Sequence, residues 1–116
     1  MSISLHIDLE EIGQKVILRL DGRLDAATVP ILERKINSLI DEKKHHLIYL
    51  DFVRVDYLSS AGMRLLLAVS KKLKAKKGAL ILFSVSEEVM EIIKLAGFEK
   101  ILSIFETEQD ALEHTR

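Results

Sequence analysis

The chain contains no cysteine and no tryptophan, and it has a single proline. The absence of cysteine excludes disulfide bonds, thiolate metal sites and a cysteine nucleophile, and it fits a reducing compartment. Neither sign of charge dominates, because 17 basic and 18 acidic side chains leave a formal net charge of −1. The overall charge therefore provides no general attraction to nucleic acid or to an anionic membrane.

Long uncharged apolar runs are also missing. No run approaches the ~20 residues that a membrane-spanning helix needs. The stretch Met1–His6 lacks the basic and continuous apolar segments of a signal peptide. What the chain does have is 48% hydrophobic residues in a length of 116, which is enough for one folded core. We therefore expect a single domain over residues 1–116, soluble and located in the cytoplasm.

Hydrophobic periodicity divides the chain into strands and helices. Apolar and polar residues alternate from Ile3 to Glu10, and a second apolar run from Lys15 to Leu20 follows a turn at Gly13, which predicts an antiparallel hairpin. Three later apolar runs predict strands at residues 47–52, 79–85 and 101–105. Apolar residues at helical spacing predict four helices, which begin near Pro30, Ser60, Ser86 and Thr107.

The predicted order of elements is β-β-α-β-α-β-α-β-α. Strands that alternate with helices need crossover connections, so most of the sheet should be parallel. We therefore predict an α/β fold with a mixed, mostly parallel sheet of four to five strands, covered by about four helices. The run Leu47–Phe52 is almost continuously apolar, which predicts a central strand covered on both faces.

Two adjacent serines, Ser59 and Ser60, lie between this central strand and the helix that follows it. A helix N-terminus leaves backbone N–H groups unpaired, so a serine there is a natural cap and an anion there is well accommodated. From the residues alone, two interpretations stay open. One serine caps the helix, which is worth ~1 kcal/mol, or one of them carries a phosphate.

Catalytic and cofactor motifs are not recognisable. The G-x-S-x-G spacing of a hydrolase nucleophile is absent, because Tyr57 and Leu58 stand where small residues are needed. Metal-ligand spacings, a P-loop and a dinucleotide fingerprint are also absent. The histidines are not adjacent in sequence to the serines; they are His6, His45, His46 and His114. We therefore expect no catalytic residue, no metal and no cofactor, and a hydrolase that uses Ser60 is a minor alternative.

The only basic cluster lies near the end of the helix after the double serine and consists of Lys71, Lys72, Lys74, Lys76 and Lys77. It fits either a nucleic-acid or membrane patch, or a solvated helix end that interacts favourably with the helix dipole. Aromatic residues, which a base-stacking surface would need, are not interleaved with these lysines. We favour the solvated helix end, and we expect neither nucleic acid nor membrane as a direct partner.

Two motifs together resemble a known family. The segment Leu50–Gly62, with its apolar strand and double serine, resembles the signature of STAS domains, and it looks most like the anti-sigma factor antagonists of bacterial partner-switching systems. The upstream segment Gly22–Thr28 is similar to the family's Gly-x-(Leu/Ile)-Asp-x-x-Thr motif. The order of predicted elements agrees with that family from about Ile3 to Leu112.

The resemblance assigns roles to individual residues. Gly62 aligns with the family glycine and Ser60 with the phosphorylated serine. Ser59 stands where the family usually has aspartate, and it is the alternative acceptor. The resemblance also implies a partner-binding surface formed by Asp25, Thr28, Ser59, Ser60, Gly62, Met63 and Arg64. By position alone, Thr28 is better explained as a helix cap and Met63 as a core residue than as contact residues.

The resemblance further implies a mechanism. The unmodified protein would bind a serine-kinase anti-sigma factor of the GHKL-type ATPase fold, or a related switch kinase, and would thereby release that kinase's other client. Phosphorylation of Ser60 would dissociate the complex, and a PP2C-type phosphatase would reset it. The alternative within the same family is a constitutive STAS subunit of a membrane transport system.

Overall fold

The computed structural model describes residues 5–114. Within this range there are five strands: β1 (Leu5–Ile12), β2 (Lys15–Leu24), β3 (Leu47–Leu58), β4 (Ala79–Phe83) and β5 (Ser103–Phe105). The same range contains four helices: α1 (Val29–Asp41), α2 (Ser60–Ala75), α3 (Glu87–Leu95) and α4 (Glu108–Glu113). The predicted order of elements is confirmed. The predicted start of the first strand at Ile3 lies outside the described residues.

The five strands form one sheet in the order β1-β2-β3-β4-β5, so β3 lies at its centre. β1 and β2 pair antiparallel through a turn at Gly13, whose φ of +61° is a conformation that glycine adopts without strain. The other neighbouring pairs, from β2 to β5, are parallel. The sheet is therefore mixed and mostly parallel, as predicted, and the carboxyl ends of β2, β3 and β4 meet at one edge.

The two faces of the sheet are covered unequally. One face packs against α1, α2 and α3 and forms the main core. The opposite face has a smaller cluster, formed by Ile17, Tyr49, Ile81 and Phe83 under Ala111 of α4. Because α4 has only six residues, it leaves part of this face open to solvent. None of the helices in residues 5–114 combines the length and the apolar character needed to cross a bilayer.

The helix boundaries follow the predicted start signals closely. Pro30 lies in the first turn of α1, where it is tolerated. Ser86 and Thr107 are side-chain caps, because their hydroxyl oxygens accept hydrogen bonds from the backbone N–H groups of Val89 and Asp110. These three predictions are confirmed.

The buried side of α2 is broad. It is formed by Gly62, Met63, Leu65, Leu66, Val69 and Leu73. A wider apolar face is expected for a helix that packs on a sheet and also contacts α1.

α2 ends in a short turn before β4. The residue in the left-handed conformation there is Lys77, with φ +63°, and not Gly78. Gly78 N–H donates to the carbonyl of Leu73 at 2.7 Å and closes the helix. A side chain at position 78 would collide with the backbone of His46. Glycine is therefore needed there for close approach rather than for its φ angle.

Candidate functional site

The two serines occupy different positions at the start of α2. Ser59 is the N-cap residue, and its Oγ accepts a hydrogen bond from the backbone N–H of Gly62 at 3.2 Å. Ser60 is the first helical residue and is exposed, and in the described part of the chain its hydroxyl has no hydrogen-bond partner. One hydroxyl is thus engaged in structure, while the other is available for reaction.

The loop between β2 and α1 lies directly beside the start of α2. β2 pairs with β3 as far as Leu24 opposite Leu58, and the backbone N–H of Ser59 donates to the carbonyl of Leu24 at 2.8 Å. Asp25, the next residue, therefore lies at the same edge of the sheet as the double serine.

Gly62 allows this close packing. A Cβ at position 62 would lie 3.2 Å from the carbonyl oxygen of Leu24 and 2.7 Å from Cδ1 of Leu58. The carbonyl of Leu24 belongs to the backbone of the sheet and the methyl group of Leu58 is buried, so a side chain at position 62 would require both neighbours to shift. The glycine thus sets how closely the start of α2 approaches the end of β2.

Asp25 and Thr28 hold the β2–α1 loop in a fixed turn. Oδ1 of Asp25 accepts hydrogen bonds from the backbone N–H groups of Ala27 and Thr28 at 3.0 and 3.1 Å. Its Oδ2 accepts one from Nε of Arg23 at 3.2 Å. The hydrogen bond from Arg23, together with the backbone and Thr28 bonds, lowers the pKa of the Asp25 carboxyl. The loop therefore presents an ionised carboxylate at neutral pH.

Thr28 does not cap α1 with its side chain, which corrects one prediction. It occupies the N-cap position, but its hydroxyl donates to the carbonyl of Arg23 at 2.6 Å and accepts from the backbone N–H of Asp25 at 3.0 Å. The hydroxyl therefore bonds to backbone groups before the helix instead of to an N–H group of α1.

Burial divides the residues that were predicted to contact a partner. Thr28, Gly62 and Met63 are buried, and Met63 is only 4% exposed. These three residues pack beneath the site, and their contact with a partner stays a prediction. For Met63, the alternative of a core residue is confirmed. The accessible side chains are those of Asp25, Ser59, Ser60 and Arg64.

The STAS domain family model matches residues 6–111, which include both loops and the start of α2. The chain belongs to the STAS domain family.

Similar proteins cover nearly all of this STAS domain. BtrV of Bordetella bronchiseptica, named as a candidate anti-sigma factor antagonist, is 33% identical over 101 residues, which are 87% of this chain and 84% of that protein. A crystal structure of an anti-sigma factor antagonist from Mycobacterium paratuberculosis superposes with a TM-score of 0.88 at 24% identity and covers 100% of this chain and 97% of that one. The phosphorylated form of the Bacillus cell fate determinant SpoIIAA gives a TM-score of 0.72 at 27% identity, over 96% of this chain and 100% of that one.

The sequence did not predict the exposed side chains of β3 that precede the double serine. β3 continues to Leu58, beyond the predicted strand end, and its pairing with β2 has two register irregularities. In this extension Val53 and Tyr57 are 62% and 39% exposed. The guanidinium of Arg23 lies over the Tyr57 ring, 4.5 Å from its centroid. The polar residues Arg54 and Asp56, which interrupt the apolar run, were the available signal for this exposure.

The surface around Ser59 and Ser60 is exposed. A separate cavity of about 810 Å³ lies at the opposite end of the sheet. Lysines and histidines line that cavity, including His45, whose ring nitrogen lies 2.9 Å from a carboxylate oxygen of Glu11. Across residues 5–114, no histidine forms a hydrogen bond with either serine, and no group of three histidine or carboxylate side chains could hold a metal ion. Among the residues predicted to contact a partner, the accessible groups are the hydroxyls of Ser59 and Ser60, the carboxylate of Asp25 and the guanidinium of Arg64.

Proposed function

We propose that the protein is an anti-sigma factor antagonist whose partner binding is switched by a phosphate on Ser60. The observation that carries this proposal is the difference between the two serines. Ser59 is hydrogen-bonded as a helix cap, while Ser60 is exposed at the start of the helix and its hydroxyl has no partner among the described residues. The names of the relatives support the regulatory role, and the SpoIIAA structure shows that a neighbour with 27% identity exists in a phosphorylated form.

The proposed partner is a serine-kinase anti-sigma factor of the GHKL-type ATPase fold, or a related switch kinase. It binds the surface that presents Asp25, Ser60 and Arg64 and supplies ATP in its own site. Ser60 Oγ attacks the γ-phosphorus of ATP, the bond from that phosphorus to the ADP oxygen breaks, and the hydroxyl proton passes to a base of the kinase. A PP2C-type phosphatase reverses the modification by hydrolysis. The antagonist itself serves as ligand and substrate, without an activity of its own.

Simple electrostatics makes such a switch effective. A phosphate adds roughly −1.5 to −2 charges and three acceptor oxygens. The start of α2 accommodates this charge because its N–H groups and helix dipole favour anions. A partner packed over Ser60 would have to desolvate the phosphate, and an uncompensated buried charge costs several kcal/mol. A loss of about 4 kcal/mol lowers affinity roughly a thousandfold, so release requires no refolding of the domain.

The first prediction concerns the acceptor. The cognate kinase, captured from the native cell on the tagged protein, should transfer one phosphate from ATP to Ser60, as mapped by mass spectrometry. The Ser60→Ala variant should accept none, whereas the matched Ser59→Ala variant should still accept one. Phosphate on Ser59 would refute the choice of acceptor, and no phosphate on either serine with a bound kinase would refute the switch.

The same kinase tests the consequence for binding. In calorimetry, Ser60→Glu should weaken binding at least tenfold, while Ser60→Ala should bind like the unmodified protein. Equal affinity of both variants would contradict the electrostatic argument. Equal affinity together with co-fractionation with membranes would instead indicate a constitutive transport subunit.

A further inference from the structure

Arg64 lies one helical turn after Ser60 on the exposed side of α2. The exposed residues of this side are Ser60, Arg64, Ala68 and Lys71, and they recur at helical spacing. Side chains four residues apart on a helix have Cβ atoms ≈ 5–6 Å apart. Over residues 5–114, the guanidinium of Arg64 forms neither an ion pair nor a hydrogen bond. An unpaired cation therefore stands beside the free hydroxyl.

The charges nearby do not compete for Arg64. α2 contains no acidic residue, whereas α3 and α4 have acidic residues in their first turns. Arg23, near the end of β2, pairs with Asp25 in the adjacent loop. Asp56, near the end of β3, is exposed and is not paired with Arg64. A phosphate on Ser60 would be the only anion on this helix.

We infer that Arg64 binds the phosphate on Ser60 and forms a phosphoserine–arginine pair within α2. The inference rests on the proposed function, since it concerns the modified state of the same serine. An anion placed four residues before a cation is the favourable order on a helix, because both charges then complement the helix dipole. The planar guanidinium can present two N–H groups to two phosphate oxygens, which an ammonium group cannot do.

This pair gives the switch a second component. In the unmodified protein Arg64 is free to pair with a carboxylate of the partner. In the phosphorylated protein the same guanidinium is held by the phosphate and is withdrawn from that contact. One modification thus adds a repulsive charge to the surface and removes an attractive one from it.

The test uses genetically encoded phosphoserine at position 60, so that it does not depend on any kinase. Titration followed by ³¹P NMR gives the second pKa of the phosphate, which is ≈ 6 in the absence of partners. At low salt, Arg64→Gln should raise this pKa by about 0.3–0.6 units, because the cation that stabilises the dianion is lost. The Arg64 Nε–H resonance should also shift between the unmodified and the phosphorylated protein.

Two control variants make the test specific. Lys71→Gln removes the same charge from the same side of α2, at a distance of about 16 Å along the helix axis, and should leave the phosphate pKa within about 0.1 units. Arg64→Lys keeps the charge without the planar fork and should fall between wild type and Arg64→Gln. An unchanged phosphate pKa in Arg64→Gln, with an unmoved Nε–H resonance, would overturn the inference. That result would leave the Ser60 switch intact, so the two proposals fail separately.

Discussion

Thr28 shows at the residue scale how a buried hydroxyl organises an exposed site. Its side chain is fully buried, and its two shortest hydrogen bonds connect the carbonyl of Arg23 to the N–H of Asp25. Those bonds fix the backbone from which the Asp25 carboxylate is presented. The motif at Gly22–Thr28 therefore contains an accessible carboxylate, that of Asp25, and a buried hydroxyl, that of Thr28, which fixes the backbone of Asp25.

Replacing Thr28 by valine tests this role. Valine has nearly the same shape but leaves the carbonyl of Arg23 and the N–H of Asp25 without their partner. The free energy of unfolding should fall by about 1–3 kcal/mol, measured by urea denaturation. Thr28→Ser retains the hydroxyl and should keep the Asp25 amide protected from hydrogen exchange, whereas Thr28→Val should expose it. Equal protection in both variants would contradict the proposed function of the hydroxyl.

At the scale of elements, the strands and helices were largely predictable, because each has a clear period and a start signal. Their ends were less predictable, because they depend on neighbours distant in sequence. β3 continues to Leu58 because β2 pairs with it that far. The role of Gly78 depends on the backbone of His46. The assignment of the cap to Ser59 rather than Ser60 depends on where the first helical turn begins, and residue preferences do not resolve a difference of one position.

The start of α2 gives a prediction that separates the two serines by stability. Ser59→Ala removes the hydrogen bond to the N–H of Gly62 and should lower the free energy of unfolding by about 1 kcal/mol. Ser60→Ala removes a hydroxyl that has no protein partner and should change it by less than about 0.5 kcal/mol. Urea denaturation of both variants at pH 7 measures the difference. A larger loss in Ser60→Ala would reverse the assignment of the cap.

At the scale of the whole molecule, Arg19 of β2 forms ion pairs with three other elements. Residue spacing in the sequence does not indicate these contacts. The Arg19 guanidinium contacts carboxylate oxygens of Glu10 on β1 at 2.8 Å, Asp51 on β3 at 2.9 Å and Glu108 on α4 at 2.9 Å. A six-residue helix is too short to be stable alone, so α4 depends on such contacts and on the burial of Ala111. Hydrogen bonds to Glu108 and Glu10 raise the pKa of Arg19, and Arg19 lowers the pKa of Glu108.

Replacing Arg19 by methionine should destabilise the fold in a pH-dependent manner. At pH 7 the loss should be about 1–3 kcal/mol, because Asp51 is only 7% exposed and would lose its cation, while solvent screens the other two pairs.

Since folding lowers the pKa of Glu108, its pairing stabilises the protein above the unfolded pKa of about 4.3. This contribution disappears as the pH falls through the pKa of Glu108 in the folded protein. Wild type should therefore lose more stability between pH 6 and pH 3 than Arg19→Met, in which the pairing of Glu108 with Arg19 is already absent. Lys72→Met is the control: it breaks an exposed pair with Asp41 and should cost at most about 1 kcal/mol. Parallel acid-denaturation curves for Arg19→Met and wild type would show that Arg19 does not connect α4 to the sheet electrostatically.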